Sequence, residues 1–148
     1  MADVVTTNVL WNPASTQNAK EYIAHFTNIS DGTGETNVRK VVKANLKATS
    51  GTAPVALNID RIEYSIQGFK GVKISWDHTT PDTAAVLGTG CGWLDFTGGL
   101  YLLRDFGHTS GLLDPQSAGG TGDIFFSTIG AAASATYSIT LFINRSTT

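Results

Sequence analysis

Residues 57–76 read LNIDRIEYSIQGFKGVKISW, and their pattern is the clearest indication of the fold class. Apolar side chains alternate with polar ones over residues 62–66 and again over residues 72–76. A period of two places every second side chain on one face of a β-strand. Gly68 interrupts the pattern, and we expect it to end the first strand. The stretch therefore predicts two short strands, each with one buried face; the alternating apolar residues are Ile62, Tyr64, Ile66, Val72, Ile74 and Trp76.

Similar short segments recur along the rest of the chain, and none is a convincing helix. Residues 38–46 also fit a helical spacing, but their valines and the lack of capping residues favour a strand. The pattern predicts an all-β protein, an antiparallel two-sheet sandwich or jelly roll of about eight short strands with an extended N-terminal arm. The further candidate strands are residues 20–29, 83–87, 93–96, 124–129 and 137–143, with 100–104 as a possible addition.

The chain of 148 residues suggests one sandwich domain, residues 19–148, preceded by an arm, residues 1–18. The arm is polar, and its isolated Leu10 and Trp11 have little local core to join. We expect the arm to become ordered against a neighbouring subunit, with these two residues as anchors.

Composition narrows the classes of partner. Charged residues make up 15% of the chain, below the usual fraction of about a quarter. Such a surface fits either an obligate assembly or a plain sandwich. The net charge of −2 gives no attraction to nucleic acid. No apolar run approaches the ~18 residues of a membrane span, and the N-terminus shows no signal peptide.

The basic residues Arg39, Lys40, Lys43 and Lys47 form the one cationic cluster of the sequence. A solvated face explains such a cluster, and so does a docking patch for an acidic partner surface. We take these four residues, together with Leu10 and Trp11, as the candidate interface residues.

The glycine-rich stretch 119–122 could form a phosphate loop or a sharp turn. Phosphate loops follow a strand and open a helix, whereas these glycines precede the predicted strand 124–129. No Gly-Lys-Ser or Gly-Lys-Thr follows them either. We therefore expect a turn that requires positive φ angles. The similar stretch 88–92 is not expected to bind phosphate either, because it also precedes a predicted strand, residues 93–96.

The sequence gives little support for a catalytic site or a metal site. Asp77, His78 and Asp82 share one turn, but their spacing matches no metal motif, and Asp is a common turn former. The lone Cys91 fits a half-buried position at a strand edge better than a catalytic thiol. We expect no catalytic residues, no bound metal and no cofactor. The aromatic residues Trp76, Trp93 and Phe96 could stack on a sugar or a base, but packing in the core is the stronger interpretation for Trp76.

Five stretches, in this order, resemble a family of small virion structural proteins from tailed bacteriophages, especially marine ones. They are FTNISDGTGET (26–36), IDRIEYSIQGFKGVKISWDHTT (59–80), DFG after Arg104 (105–107), GGTGDIFFSTIG (119–130) and TYSITLF (136–142). The resemblance covers most of residues 20–143, and its motifs are structural rather than catalytic. The chain departs from the family pattern in an apparent insertion at 97–103 and in the loop that follows Gly107.

The resemblance implies a capsid decoration, or cement, protein. Such proteins bind the outside of an HK97-type head, often as trimers, and clamp neighbouring capsomers. The expected partners are the major capsid protein and further copies of this chain, on the surface of a virion assembled in the host bacterial cytoplasm. Two alternatives stay open: a neck, tail or fibre protein of the virion, and a carbohydrate-binding module with Trp76, Trp93 or Tyr101 as its platform.

Overall fold

The computed structural model describes residues 3–11, 21–46, 54–96 and 111–146. These ranges contain eight β-strands and one 3-10 turn, Lys43–Asn45, and no α-helix. None of the described helical segments has the length and hydrophobicity of a membrane-crossing helix. The all-β prediction is confirmed. The strands are β1 (Val4–Trp11), β2 (Glu21–Asp31), β3 (Val38–Val41), β4 (Ala56–Trp76), β5 (Asp82–Asp95), β6 (Leu112–Leu113), β7 (Ile124–Ile129) and β8 (Ala133–Ser146).

The long strand β4 joins the two sheets of an antiparallel sandwich. Its residues 56–67 pair with β8, and its residues 71–76 pair with β7. Strand β5 follows the opposite edge of β4 along both parts. The hydrogen-bonded order is β1-β2-β8-β4-β7-β3, with β5 and β6 added beside β4. One sheet therefore contains β1, β2, β8 and the first part of β4, and the other contains β3, β7 and its second part.

Gly68 does not end a strand as expected, because β4 continues through it to Trp76. Gly68 has a φ of 84°, and a Cβ placed there would lie 2.9 Å from the Cα of Ala135. The missing side chain lets the strand turn from one sheet to the other while its backbone stays close to β8. The expected short strands 83–87 and 93–96 likewise join through the intervening glycines into the single strand β5.

The core lies between the two sheets. The ring of Phe26 on β2 meets that of Phe126 on β7 edge-to-face, with centroids 5.2 Å apart. Trp76 is 1% exposed, which confirms the packing interpretation for this residue. Fully burying one large apolar side chain stabilises a fold by about 1.5–3 kcal/mol. Of the alternating residues of β4, only Tyr64 is not fully buried, and it packs against the same core.

Part of the predicted N-terminal arm belongs to the sandwich. Residues 4–11 form the edge strand β1, which pairs with β2 from Val4 opposite Ile29 to Trp11 opposite Ile23. Residues 12–18 of the arm and the possible strand 100–104 lie outside the described residues, as does the candidate platform residue Tyr101. The domain boundary at residue 18 stays a prediction. Residues 38–46 divide into the short strand β3 and the 3-10 turn.

Candidate functional site

The edge strand β1 has an apolar face that the opposing sheet does not cover. Val5 and Val9 stand opposite Asn28 and Ala24, which are buried on the core side of the sheet. Because register partners share a face, the two valines also point to the core side. They are nevertheless 40% and 45% exposed. Within the described residues β1 pairs only with β2, so one row of main-chain groups is free to pair as well.

Of the two predicted anchors, Leu10 is 55% exposed on β1 and Trp11 is the last residue of the strand. On the other face of the same edge, Val4 and Ile29 stand opposite each other and are 59% and 53% exposed. The edge therefore presents apolar side chains on both faces, as a surface that a partner covers would do.

The three candidate cations that the structure describes do not form one exposed patch. Arg39 lies 3.2 Å from Asp77 and 3.0 Å from Asp123 in two ion pairs. The Lys40 side chain is only 3% exposed, so the prediction of a surface contact is corrected for this residue. Lys43 donates a hydrogen bond to the main-chain oxygen of Val55. Lys47 lies outside the described residues, and an interface role for it, Arg39 and Lys43 stays a prediction.

Lys40 is the extra residue of a β-bulge in β3. In the pairing of β3 with β7, Arg39 stands opposite Phe125 and Val41 opposite Ile124, and the register shifts between them. Lys40 shares the inner face with Val38, whose partner Phe126 is buried, and the bulge brings Val41 to that face as well. Simple alternation puts Lys40 and Val41 on opposite faces, and a valine is the more usual core residue of the two, so the sequence of β3 by itself did not indicate a core lysine.

Inside the core, Lys40 belongs to a polar network centred on Glu35. The Lys40 Nζ lies 2.5 Å from Glu35 Oε2. Tyr137 donates its hydroxyl hydrogen to Glu35 Oε1 over 2.5 Å, and Asn28 Nδ2 donates to the same oxygen over 3.0 Å. Asn28 Nδ2 also donates to Asp3 Oδ2 over 3.0 Å. Burial, followed by the contact with Glu35, raises the pKa of the Tyr137 hydroxyl well above its usual range.

A second buried pair joins the turn after β4 to the segment after β6. His78 Nε2 lies 2.6 Å from Asp114 Oδ1, and His78 Nδ1 lies 2.9 Å from the main-chain oxygen of Gly119. Both ring nitrogens face acceptors, so the imidazolium, which donates from both, fits the site. Burial lowers the pKa of His78, but the bonds to Asp114 and Gly119 outweigh it, and the pKa is raised.

The glycine stretch 119–122 is the turn that carries the Gly119 acceptor. Gly119, Gly120 and Gly122 have φ angles of 75°, 67° and 73°, which confirms the predicted turn. A Cβ on Gly120 would lie 2.2 Å from the main-chain oxygen of Asp77, so a larger residue does not fit there. Among the described residues, no group of three or more His, Cys, Asp or Glu side chains is arranged to hold a metal ion.

The outer face of the first sheet carries an exposed aromatic ring. Trp93 on β5 is 61% exposed, and the Arg61 guanidinium carbon lies 4.7 Å from its ring centroid. The ring borders an open depression of about 440 Å³. A flat apolar ring beside hydroxyl and carboxylate groups can bind a polar ring-shaped ligand by stacking and hydrogen bonds. The depression is lined by Glu63, Tyr64, Ser65, Cys91, Gly92, Trp93, Ser138 and Thr140.

Cys91 is exposed in this depression rather than half-buried, which corrects the expectation from the sequence. Strand β5 lies at the outside of the first sheet, where it pairs with β4. Among the described strands β5 pairs with β4 alone, which agrees with the expected strand edge. The expected degree of burial was wrong, because the side chain of Cys91 is exposed on the outer face of the sheet.

Comparisons with known proteins found one similar structure. No protein-family model and no curated protein matches the chain. A mutant of the family 29 carbohydrate-binding module CBM29-2, made to probe its ligand recognition, aligns over 95% of this chain and 92% of its own. The sequence identity is 8% and the TM-score 0.37, so this likeness carries no conclusion about ligands or partners.

Proposed function

We propose that the protein is a structural protein of a bacteriophage virion, a capsid decoration protein that binds the outside of an HK97-type head as a homotrimer and clamps neighbouring capsomers. The observation that carries the proposal is the uncovered apolar face of β1, with Val5 and Val9 on the core side of the sheet but 40% and 45% exposed. In an isolated subunit the exposed part of these side chains gains no burial free energy, whereas a neighbouring subunit that covers them would provide it.

Two further features support this proposal. The motifs quoted above resemble virion structural proteins of tailed phages. The fraction of charged residues, 15%, suits a protein whose surface is largely covered by other subunits.

A double substitution tests the proposal. Val5→Thr with Val9→Thr keeps the β-branched shape that favours strands but replaces one methyl on each side chain by a hydroxyl. We expect lower occupancy on purified heads that lack the protein, together with lower heat resistance of the reconstituted particles. Occupancy is measured by quantitative gel analysis of sedimented particles.

Val86→Thr is the matched control, because Val86 is 58% exposed on β5, away from β1. This variant should bind as the unchanged protein does. Equal occupancy for the double variant and the control would contradict the role of β1, and absence of the protein from all virions would end the proposal. If the number of copies of this protein per virion matches a single ring of subunits rather than the whole shell, the neck or tail alternative is favoured.

A carbohydrate-binding function is the second candidate, and the exposed Trp93 favours it. Its ring, the Arg61 guanidinium 4.7 Å away and the hydroxyls of Ser138 and Thr140 form a surface suited to a sugar ring. Binding to a panel of oligosaccharides, abolished by Trp93→Ala and retained by Val86→Thr, would support it. Trp76 is buried and offers no platform.

A further inference from the structure

The network around Glu35 brings an amine, an amide and a carboxyl group together in the core. We propose that Lys40 and Asn28 become joined by an intramolecular isopeptide bond, with Glu35 as the catalytic residue that transfers the protons. The proposal does not depend on the virion function. It concerns a covalent modification within a single chain.

The two reacting groups meet on one carboxylate. Lys40 Nζ lies 2.5 Å from Glu35 Oε2, and Asn28 Nδ2 lies 3.0 Å from Glu35 Oε1. Intramolecular reactions in a reactive geometry reach effective molarities of about 10⁵–10⁸ M. The proposal requires the Lys40 amine, held on the Glu35 carboxylate, to reach Cγ of the Asn28 amide on the same carboxylate, and such proximity would let an amide that is inert towards amines in free solution react.

The surroundings of the site exclude water. Asn28 is 1% exposed, and the side chains of Lys40 and Glu35 are 3% and 4% exposed. The rings of Phe126 and Tyr137 have their centroids 5.8 Å and 5.9 Å from Lys40 Nζ. A buried ion pair has a large desolvation cost. Transfer of one proton from Nζ to Oε2 removes both charges and leaves the neutral amine, which is the nucleophile.

The reaction balances without any further reactant. The Nζ lone pair of Lys40 attacks Cγ of Asn28, and the Nζ–Cγ bond forms. The Cγ–Nδ2 bond then breaks, and Nδ2 leaves as ammonia. Of the two protons that the Lys40 ammonium loses, one stays on Glu35 and the other passes through Glu35 to the leaving nitrogen. The products are a neutral secondary amide, a neutral Glu35 carboxyl group and one ammonia molecule.

The neighbours of the leaving nitrogen fit these roles. Asn28 Nδ2, the leaving nitrogen, already contacts the Glu35 carboxyl that would protonate it. Asp3 Oδ2 accepts a second hydrogen bond from Nδ2 and fixes the plane of the amide. The Tyr137 hydroxyl donates to Glu35 Oε1 and orients the carboxyl group, so Tyr137 is a positioning residue.

The bond would tie the two sheets together. Asn28 lies on β2 in the first sheet and Lys40 on β3 in the second. Strand β3 has four residues and pairs only with β7 among the described strands, so it is held by few main-chain hydrogen bonds. A covalent link to β2 would prevent β3 from separating on its own.

The mass of the denatured full-length protein tests the proposal. We expect a mass lower than that of the sequence by one ammonia molecule, after allowance for removal of Met1. A tryptic digest should contain a branched peptide that joins Lys40 to Asn28, with no cleavage after Lys40. An unmodified sequence mass after prolonged incubation would overturn the proposal, and so would a loss of ammonia that maps to another site.

Three variants assign the roles. Lys40→Arg removes the nucleophile, and Glu35→Gln keeps the shape but cannot transfer the protons, so both should show the full sequence mass. Lys70→Arg is the matched control at an exposed lysine outside the network, and it should lose ammonia as the unchanged protein does. The branched peptide of the unchanged protein decides the matter even if the core variants do not fold. Ammonia loss from Glu35→Gln at the original rate would overturn the role of Glu35.

Discussion

At the level of single residues, the buried charges are the most demanding part of this fold. Lys40 with Glu35, and His78 with Asp114, lie in ion pairs whose side chains are at most 4% exposed. Removing such groups from water costs several kcal/mol per ion, and only good geometry and additional hydrogen bonds offset this cost. Both pairs have those bonds, from Tyr137 and Asn28 in the first case and from the main chain in the second.

The His78 pair makes stability depend on pH. In the folded protein burial lowers the pKa of His78, but its bonds to Asp114 and Gly119 together outweigh burial, so the pKa is raised. Its contribution to stability is therefore complete below the unfolded pKa of about 6.5 and is lost as the pH rises through the folded value. We therefore expect the free energy of unfolding, measured by urea denaturation, to be lower at pH 9 than at pH 6, because the contribution of the His78 pair is lost.

His78→Gln should flatten that part of the pH profile, because the glutamine carries no titrating proton. It should also lower stability at pH 6, since loss of one partner of a buried pair typically costs about 3–5 kcal/mol. His25→Gln is the control, because His25 contacts Ser138 on the part-buried outer face. If His78→Gln leaves the pH dependence of the free energy of unfolding unchanged, the attribution of that dependence to His78 is wrong.

At the level of elements, the passage of β4 from one sheet to the other organises the sandwich. The apolar alternation on either side of Gly68 was readable from the sequence, since it reflects which face of each segment is buried. The continuity of the strand was not readable. It depends on the approach of Gly68 to Ala135 on β8, a contact between residues far apart in the chain.

Gly68→Ala tests the importance of that approach. A Cβ at Gly68 would lie 2.9 Å from two atoms of Ala135, at a φ of 84° that side chains rarely adopt. We expect a loss of about 1–3 kcal/mol in the free energy of unfolding, measured by urea denaturation. Gly88→Ala, on β5, has no atom within 4 Å of the added Cβ and should be close to neutral. Equal effects of the two changes would show that the close approach is unimportant.

At the level of the whole molecule, the exposed edge at β1 bears on whether the protein is a monomer or a subunit of an assembly. A self-sufficient monomer would leave Val5 and Val9 in water, whereas a subunit of an assembly would bury them. The exposed residues of this edge include both valines and the predicted anchor Leu10.

If the chain assembles as proposed, its melting temperature should rise with protein concentration, because association stabilises the folded state by mass action. Calorimetry over a wide concentration range measures this. The rise should vanish in the Val5→Thr, Val9→Thr variant and persist in Val86→Thr. A melting temperature independent of concentration would contradict self-association through β1, while leaving binding to a capsid surface to the occupancy experiment.

The β class, the strand 124–129, the positive-φ turn at 119–122 and the burial of Trp76 could all be predicted from the amino-acid sequence. These follow from local rules: alternation with a period of two, and the backbone freedom of glycine. The inward orientation of Lys40, the contact of His78 with Asp114 and the exposure of Val5 and Val9 became visible only in the folded chain. Each of these depends on the pairing of a strand, a chain crossing or the extent of the opposite sheet, and therefore on residues that are distant in sequence and meet only in the folded chain.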